Sequence, residues 1–461
     1  MAKRKVSNSQ LESVKLIVDL VLGNARACID NAIVDCSIAI DAGRIVKIGK
    51  EAGMPKADAR IDLANMLVLP GLIDVHVHLR DEGNAYKEDF YSGTAAAAAG
   101  GVTTVLDMPN NDPVTMTAEN LTKRMQIAER RTLVNVGFYS AFPTCIKELQ
   151  RISDEGAIAF KLFMAQQIGG LDINDDHSIL ESFRNVSQMN LTIAVHAEDK
   201  ATLDKEVDEC KRTCQNNVAA YSEAHSELVE TIALKHLFSI ARRTNARVHL
   251  CHVSSRGGLE AIIDARQTGM QLTCEATPHH LFLSVDDLKR TGAIALTAPP
   301  IRDRSHGSAL WEGIKKRWID IIASDHAPHA LQEKTSESVW DVKVGMPNLE
   351  TTLPLLLNAV RKRRLSLGDI VRMMAETPAE IFQLKNRGSL EPGNIADLVV
   401  IDLYKKHRID VREFHSKAKY SPFDGWTVEG EPIKTIVNGR LVMDEGEIVA
   451  PMGSGEIIRR R

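Results

Sequence analysis

Gly71-Leu-Ile-Asp-Val-His76, followed at once by Val77-His78, is a short apolar run that opens on glycine and ends in imidazoles. Such a run, bounded by turn residues and too short for a helix, reads as a buried strand. Seven further runs share its pattern: Thr103-Thr-Val-Leu-Asp-Met108, Val134-Asn-Val-Gly-Phe138, Ile158-Ala-Phe-Lys-Leu-Phe163, Leu191-Thr-Ile-Ala-Val-His196, Arg247-Val-His-Leu-Cys-His252, Gln271-Leu-Thr-Cys-Glu275 and Asp320-Ile-Ile-Ala-Ser-Asp325. Helix-length segments separate them, among them 94–99, stopped by Gly100-Gly101, and 222–243 with its long apolar periodicity. Eight strands alternating with helices predict an α/β fold, a parallel (β/α)8 barrel.

Outside this span the grammar changes. Residues 15–22, 37–40 and 44–48 read as short strands with turns, and the same pattern returns only at 397–401, 433–440 and 441–443. The two ends are therefore expected to pair into one small discontinuous β-rich domain (1–69 and 378–461) around the barrel (70–377). Lys+Arg 57 against Asp+Glu 61 leaves a formal charge of −4 on 461 residues, with 44% hydrophobic. That balance offers no field to attract nucleic acid, and the basic clusters at 2–5, 361–364 and 459–461 read as solvated surface. No window approaches the ~20 apolar residues of a membrane span, and no export signal is read. Seven cysteines without CxxC spacing read as reduced and cytoplasmic, Cys210 and Cys214 included.

In a (β/α)8 barrel the chemistry sits at the C-terminal ends of the strands. Of 15 histidines, eight lie at or just past those ends: His76, His78, His196, His252, His279, His280, His326 and His329. His76 and His78, at i and i+2 of a strand, project to the same side and can reach one ion. With His196, His252 and Asp325 closing strands five, six and eight, a metal site is expected. Lys161, flanked by Phe160 and Leu162-Phe163 on a buried strand, has two readings. It is either salt-bridged to an acid such as Asp325, or a desolvated amine that takes up CO2 to give a carbamate able to bridge two metals.

Pro70-Gly-Leu-Ile-Asp-Val-His-Val-His78-Leu-Arg80-Asp81, Asp107-Met-Pro-Asn-Asn111, Val195-His-Ala-Glu198, His252-Val-Ser-Ser255, Ala276-Thr-Pro-His-His280 and Ser324-Asp-His-Ala-Pro-His329 together resemble the amidohydrolase superfamily and, within it, the dihydroorotases. The resemblance covers nearly the whole chain. It implies that His76, His78 and Asp325 hold one divalent ion, that His196 and His252 hold a second, and that carboxylated Lys161 bridges them. Zinc suits this N/O set, as would cobalt or manganese. The resemblance also assigns Arg80, Asn110 and His329 to a substrate carboxylate, a role that a planar guanidinium fills by bidentate pairing. It implies reversible opening of the cyclic amide of dihydroorotate to N-carbamoyl-aspartate by a metal-activated water, with Asp325 passing the proton to the leaving nitrogen.

Thr297-Ala298-Pro299-Pro300 departs from the pattern, because dihydroorotases usually place asparagine at the second position and allantoinases resemble this chain there. Glu82 stands where proline is common. An allantoinase or hydantoinase acting on a neutral ring is the rival enzyme, with Arg80 and Asn110 against it. A scaffold that has lost catalysis is the rival class, and the six retained ligands oppose it. Cys251 and Ser324 are expected to point outward into the helix layer, as neighbours of inward-facing residues, and so not to serve as nucleophiles. The resemblance further implies a homo-oligomer, dimer or tetramer, acting on a small molecule.

Overall fold

The computed structural model describes residues 17–460; the basic cluster at 2–5 and the first two residues of the run 15–22 lie outside them. Eight strands, Leu72–Val77, Val102–Asp107, Asn135–Ala141, Ala159–Phe163, Thr192–His196, Arg247–Leu250, Leu272–Ala276 and Ile321–Ile322, pair in parallel in chain order. The ring closes where Val77 bridges His326 and the His78 N–H donates to the His326 carbonyl at 2.8 Å. Helices cover the outside, so the strands are buried on both faces and read as continuous apolar runs.

Local sequence sets the helix ends. Phe90–Ala99 begins four residues before the expected 94–99 because Asp89 caps it, accepting from the Ser92 N–H while Ser92 Oγ accepts from Asp89 N–H. Gly100 ends it under the Leu349–Arg361 helix, where a Cβ would stand 2.2 Å from the Leu349 carbonyl oxygen. The expected single helix 222–243 is two, Val218–Ala224 and Glu227–Thr244. The break falls at His225, whose Nδ1 is held by Glu198 at 2.6 Å, so a tertiary contact overrides the periodicity.

A second sheet combines both ends of the chain. Leu398–Arg408 runs antiparallel to Leu67–Pro70, joining five N-terminal strands to four C-terminal ones. Alternation along this seam serves two cores: Leu398 and Val400 pack with Leu22, Ile38 and Val68, whereas Val399 and Ile401 face the main core of the barrel. Beyond this sheet, the last strand, Ile457–Ile458, returns to the barrel and pairs with Val136 and Gly137.

One buried ion pair ties the barrel to its mouth. Asp107, at the end of the second strand, accepts from the Leu79 N–H (2.9 Å) and from Arg124 Nη2 (2.5 Å), and Arg124 lies over the rings of Phe90 and Phe138. Arg124→Met would leave the carboxylate buried without its cation. It is expected to cost about 3–5 kcal/mol of stability, read from the shift of the chemical denaturation curve.

Candidate active site

The polar residues at the strand ends converge. His76 Nε2 and His78 Nε2 each lie 3.4 Å from Asp325 Oδ1, and His196 Nδ1 lies 3.0 Å from His252 Nε2. The His76 and His252 rings, 5.2 Å apart, join the two pairs into one cluster. Lys161 is fully buried beside it. Its Nζ stands 2.8 Å from Cys251 Sγ, and among the described residues it forms no ion pair with Asp325 or any other carboxylate.

The cysteine contact corrects the outward placement expected for Cys251. The sixth strand stops at Leu250, and His252 takes a positive φ of 36°. Val248 and Leu250 face the helix layer, so alternation brings His249 and Cys251 to the inside, toward Glu275 and Lys161, and the left-handed turn at His252 lets that next residue reach the mouth as well. Asp325 (φ 46°) and Arg80 (φ 62°) are also left-handed at the strand-to-loop junction. Ser324 is tied to Asp74 through its N–H and to the His326 N–H through its Oγ.

The outward nitrogens of three of these rings are bonded. Glu275 accepts from His76 Nδ1, from His249 Nε2 (3.0 Å) and from the His252 N–H (3.0 Å). Glu198 bridges His196 Nε2 (2.8 Å) and His225 Nδ1 (2.6 Å). Asn110 Oδ1 accepts from His78 Nδ1 at 2.6 Å. Both glutamates are held well below the usual carboxylate range by their imidazole partners, against the opposing effect of burial. Burial holds His76, His78 and His252 neutral, and Asp74 beneath them is pushed up to about 7. Neutral imidazoles with one nitrogen tied outward keep a lone pair for a metal. His76, His78 and Asp325 offer donor atoms within 4.8 Å of one another, all buried. His252 Nδ1 is buried without a partner. This donor set fits divalent ions.

Glu198 and Glu275 were not singled out from the sequence. The available signal was a glutamate near the end of a buried strand, Glu275 within Leu272–Ala276 and Glu198 two residues past Thr192–His196, where an ionised side chain needs partners.

A cavity of about 490 Å³ opens over the cluster, with Arg80, Asn110, His329 and Ala298 among its walls. Arg80 is 8% exposed, donates from Nε to the Pro328 carbonyl (3.2 Å) and pairs with no carboxylate among the described residues. Asp81 pairs instead with Arg131 (2.9 Å). Burial draws the Arg80 pKa below the ordinary guanidinium range. His329 has protein partners at both ring nitrogens: Nε2 donates to the Val344 carbonyl (3.0 Å), Nδ1 faces Lys87 Nζ (3.3 Å), and Arg80 Nη2 lies 3.3 Å from Nε2. Burial and the neighbouring Arg80 and Lys87 keep it neutral.

The amidohydrolase family model matches residues 67–442. The chain belongs to the amidohydrolase family. A dihydroorotase of Methanothermobacter thermautotrophicus is 38% identical over 442 residues, covering 95% of this chain and 97% of its own. An L-hydantoinase of Paenarthrobacter aurescens is 32% identical over 451 residues, covering 96% and 98%. The solved L-hydantoinase (dihydropyrimidinase) from Arthrobacter aurescens superposes with a TM-score of 0.93 at 31% identity, over 96% of this chain and all of that one. Amidohydrolases generally depend on two metal ions, and the buried His and Asp groups of this one are of the type such ions need.

If Glu275 fixes His76 and His252, Glu275→Gln should weaken metal retention by about 10- to 100-fold. Metal content after graded chelator dialysis is the readout, with circular dichroism as the control for folding.

Proposed function

We propose that this amidohydrolase opens the cyclic amide of dihydroorotate, reversibly, to N-carbamoyl-aspartate. The observation that carries the reading is Arg80, a buried guanidinium at the wall of the cavity that pairs with no carboxylate among the described residues. A planar cation in that position seeks a carboxylate from the ligand, which dihydroorotate has and a neutral ureide ring lacks. Several dihydroorotases at 34–38% identity support the same substrate.

His76, His78 and Asp325 would hold one divalent ion, His196 and His252 a second, and carboxylated Lys161 would lie between them; zinc suits these ligands. When bound, such ions supply Lewis acidity that makes water a nucleophile near neutral pH and polarises a ring carbonyl.

The chain's own residues do the rest. Arg80 binds the substrate carboxylate through its fork. Asn110, with Oδ1 committed to His78, has its amide N–H groups left to donate. His329, with Nε2 given to the Val344 carbonyl, packs against Arg80, which the Pro328 carbonyl holds through Nε. Asp325, in reach of both His76 and His78, takes the proton of the attacking water and delivers it to the leaving ring nitrogen. Phe163, Tyr221 and Trp340 in the cavity wall exclude bulk water.

A second reading, a hydantoinase or allantoinase, rests on Ala298 in the cavity wall and on the similarity to L-hydantoinase. We read the chain as a cytoplasmic homo-oligomer, dimer or tetramer, with residues 1–69 and 378–461 as a β domain on a 70–377 barrel. The seven free cysteines fit a reducing compartment, and among the described residues no helix is long and apolar enough to cross a membrane.

Turnover of dihydroorotate, allantoin and hydantoin side by side tests the substrate. Arg80→Lys should lower kcat/KM for dihydroorotate by roughly 10- to 150-fold, the equivalent of about 1.5–3 kcal/mol for a charge-assisted contact, and change neutral-ring turnover far less. A wild type that prefers allantoin, with Arg80→Lys keeping that preference, would disprove the proposal. Asp325→Asn removes a ligand and the proton carrier together, so kcat should fall by at least ~10²–10⁴-fold. A variant that keeps most of its kcat would refute the role given to Asp325.

A further inference from the structure

Lys334 follows the Asp325–His329 segment, on the short turn Leu331–Lys334, and is 1% exposed. Among the described residues no carboxylate pairs with it. Its Nζ donates instead to three carbonyl oxygens: Lys343 (2.9 Å), Gly345 (2.9 Å) and Leu296 (3.3 Å). An ammonium has three N–H donors, so this cage satisfies it completely. Burial draws its pKa down to about 7, while the cage favours the ammonium, the only form with three donors to give.

The segments joined this way are walls of the cavity. Lys343, Val344 and Gly345 line it, as does Ala298, two residues beyond Leu296. The Gly345 N–H also donates to the Leu296 carbonyl (2.8 Å). Gly345 has φ +128°, and a Cβ there would stand 2.5 Å from the Ala327 carbonyl oxygen. The strip is thus pressed against the loop that leaves Asp325. Lys334 takes the carbonyls of residues 343 and 345, and the carbonyl between them, Val344 O, is the acceptor for His329 Nε2. His329 in turn stands 3.3 Å from Arg80.

We infer that Lys334 is a positioning residue for the anion end of the cavity: its ammonium fixes the 343–345 backbone, whose Val344 carbonyl holds the His329 ring in packing contact with Arg80. The inference rests on the reading of Arg80 as the carboxylate ligand. Lys334 touches neither substrate nor metal ligands, and its effect should fall on anionic substrates alone.

The test is steady-state kinetics of Lys334→Met, which keeps an unbranched stem one atom shorter and removes every donor, on dihydroorotate and on hydantoin, with thermal unfolding in parallel. KM for dihydroorotate should rise about 10- to 100-fold with kcat within about threefold, and hydantoin kcat/KM should stay within about threefold. Where hydantoin turnover is too slow to measure, the KM against kcat split carries the comparison. Ethylammonium added to Lys334→Ala should refill the cage and lower KM again. Equal losses on both substrates, or a fall in kcat with KM unchanged, would overturn the inference and leave the proposed function standing. A wild type that hydrolyses hydantoin but not dihydroorotate overturns the proposed function and the inference with it. Should Lys334→Met not fold, Lys334→Gln, which retains amide donors, takes its place; failure of both to fold makes Lys334 a residue of fold stability and overturns the positioning role.

Discussion

An imidazole can give a lone pair to a metal in a fixed direction only if its other nitrogen is held, and the mouth of this barrel is arranged around that requirement. Glu275 holds His76, Glu198 holds His196, and Asn110 holds His78. Two ionised carboxylates inside a barrel would be prohibitive alone, since desolvation costs several kcal/mol per ion. Each here has two imidazole partners, and Glu275 has a backbone N–H besides. The glutamates also bind second histidines, His249 and His225, so the histidine cluster is anchored to the sixth strand and to the break between the helices Val218–Ala224 and Glu227–Thr244. The position of that break, which periodicity does not show, follows from the needs of the site.

Convergence has a second cost, taken in the backbone. Side chains of period two cannot all meet on one axis from strands that end at different heights. Arg80, His252 and Asp325 solve this with left-handed conformations, each disfavoured for a residue with a Cβ by about 1–2 kcal/mol. All three lie where a strand becomes a loop, and the surrounding pairings over-determine them: the His78 N–H on the His326 carbonyl, the His252 N–H on Glu275, the Arg80 Nε on the Pro328 carbonyl. Such outliers cluster at functional sites because only rigid surroundings sustain them.

The same conformations mark the limit of what the sequence conveys. Eight strand-like runs and the polar residues closing them were legible, because burial on both faces leaves continuous apolar runs and a histidine at the end of one is conspicuous. The outward placement of Cys251 fails because it counts alternation from His252: Val248 and Leu250 face the helices, so His249 and Cys251 face inward, and the φ that turns His252 to the mouth cannot be read from residue type. The pairing of the chain's two ends was legible from strand grammar, but the return of Ile457–Ile458 to the barrel was not, because two apolar residues carry no address. Glu198, Glu275 and Lys334 were overlooked for a related reason. Their roles are defined by partners that are distant in sequence: His225 for Glu198, His76 and His249 for Glu275, and three carbonyls for Lys334.

Arg80 and Ala298 point toward different substrates, and their physical weights differ. A methyl group at position 298 contributes no hydrogen bond to a ring, but it also rejects nothing, because apolar walls discriminate only weakly against polar isosteres. A buried guanidinium without a counter-charge acts in both directions. It gains a charge-assisted pair when a carboxylate arrives, and it stays desolvated and unpaired when the ligand is neutral, an outcome that buried polar groups penalise heavily. Among the described residues no carboxylate pairs with this cation: Asp325, Asp107 and Glu333 act on it without forming an ion pair, Glu333 is paired with Lys87, and Asp81, next in the sequence, is paired with Arg131. With no paired carboxylate among the described residues, a ligand carboxylate is the counter-charge that the proposed reading supplies, and on that reading Arg80 outweighs Ala298.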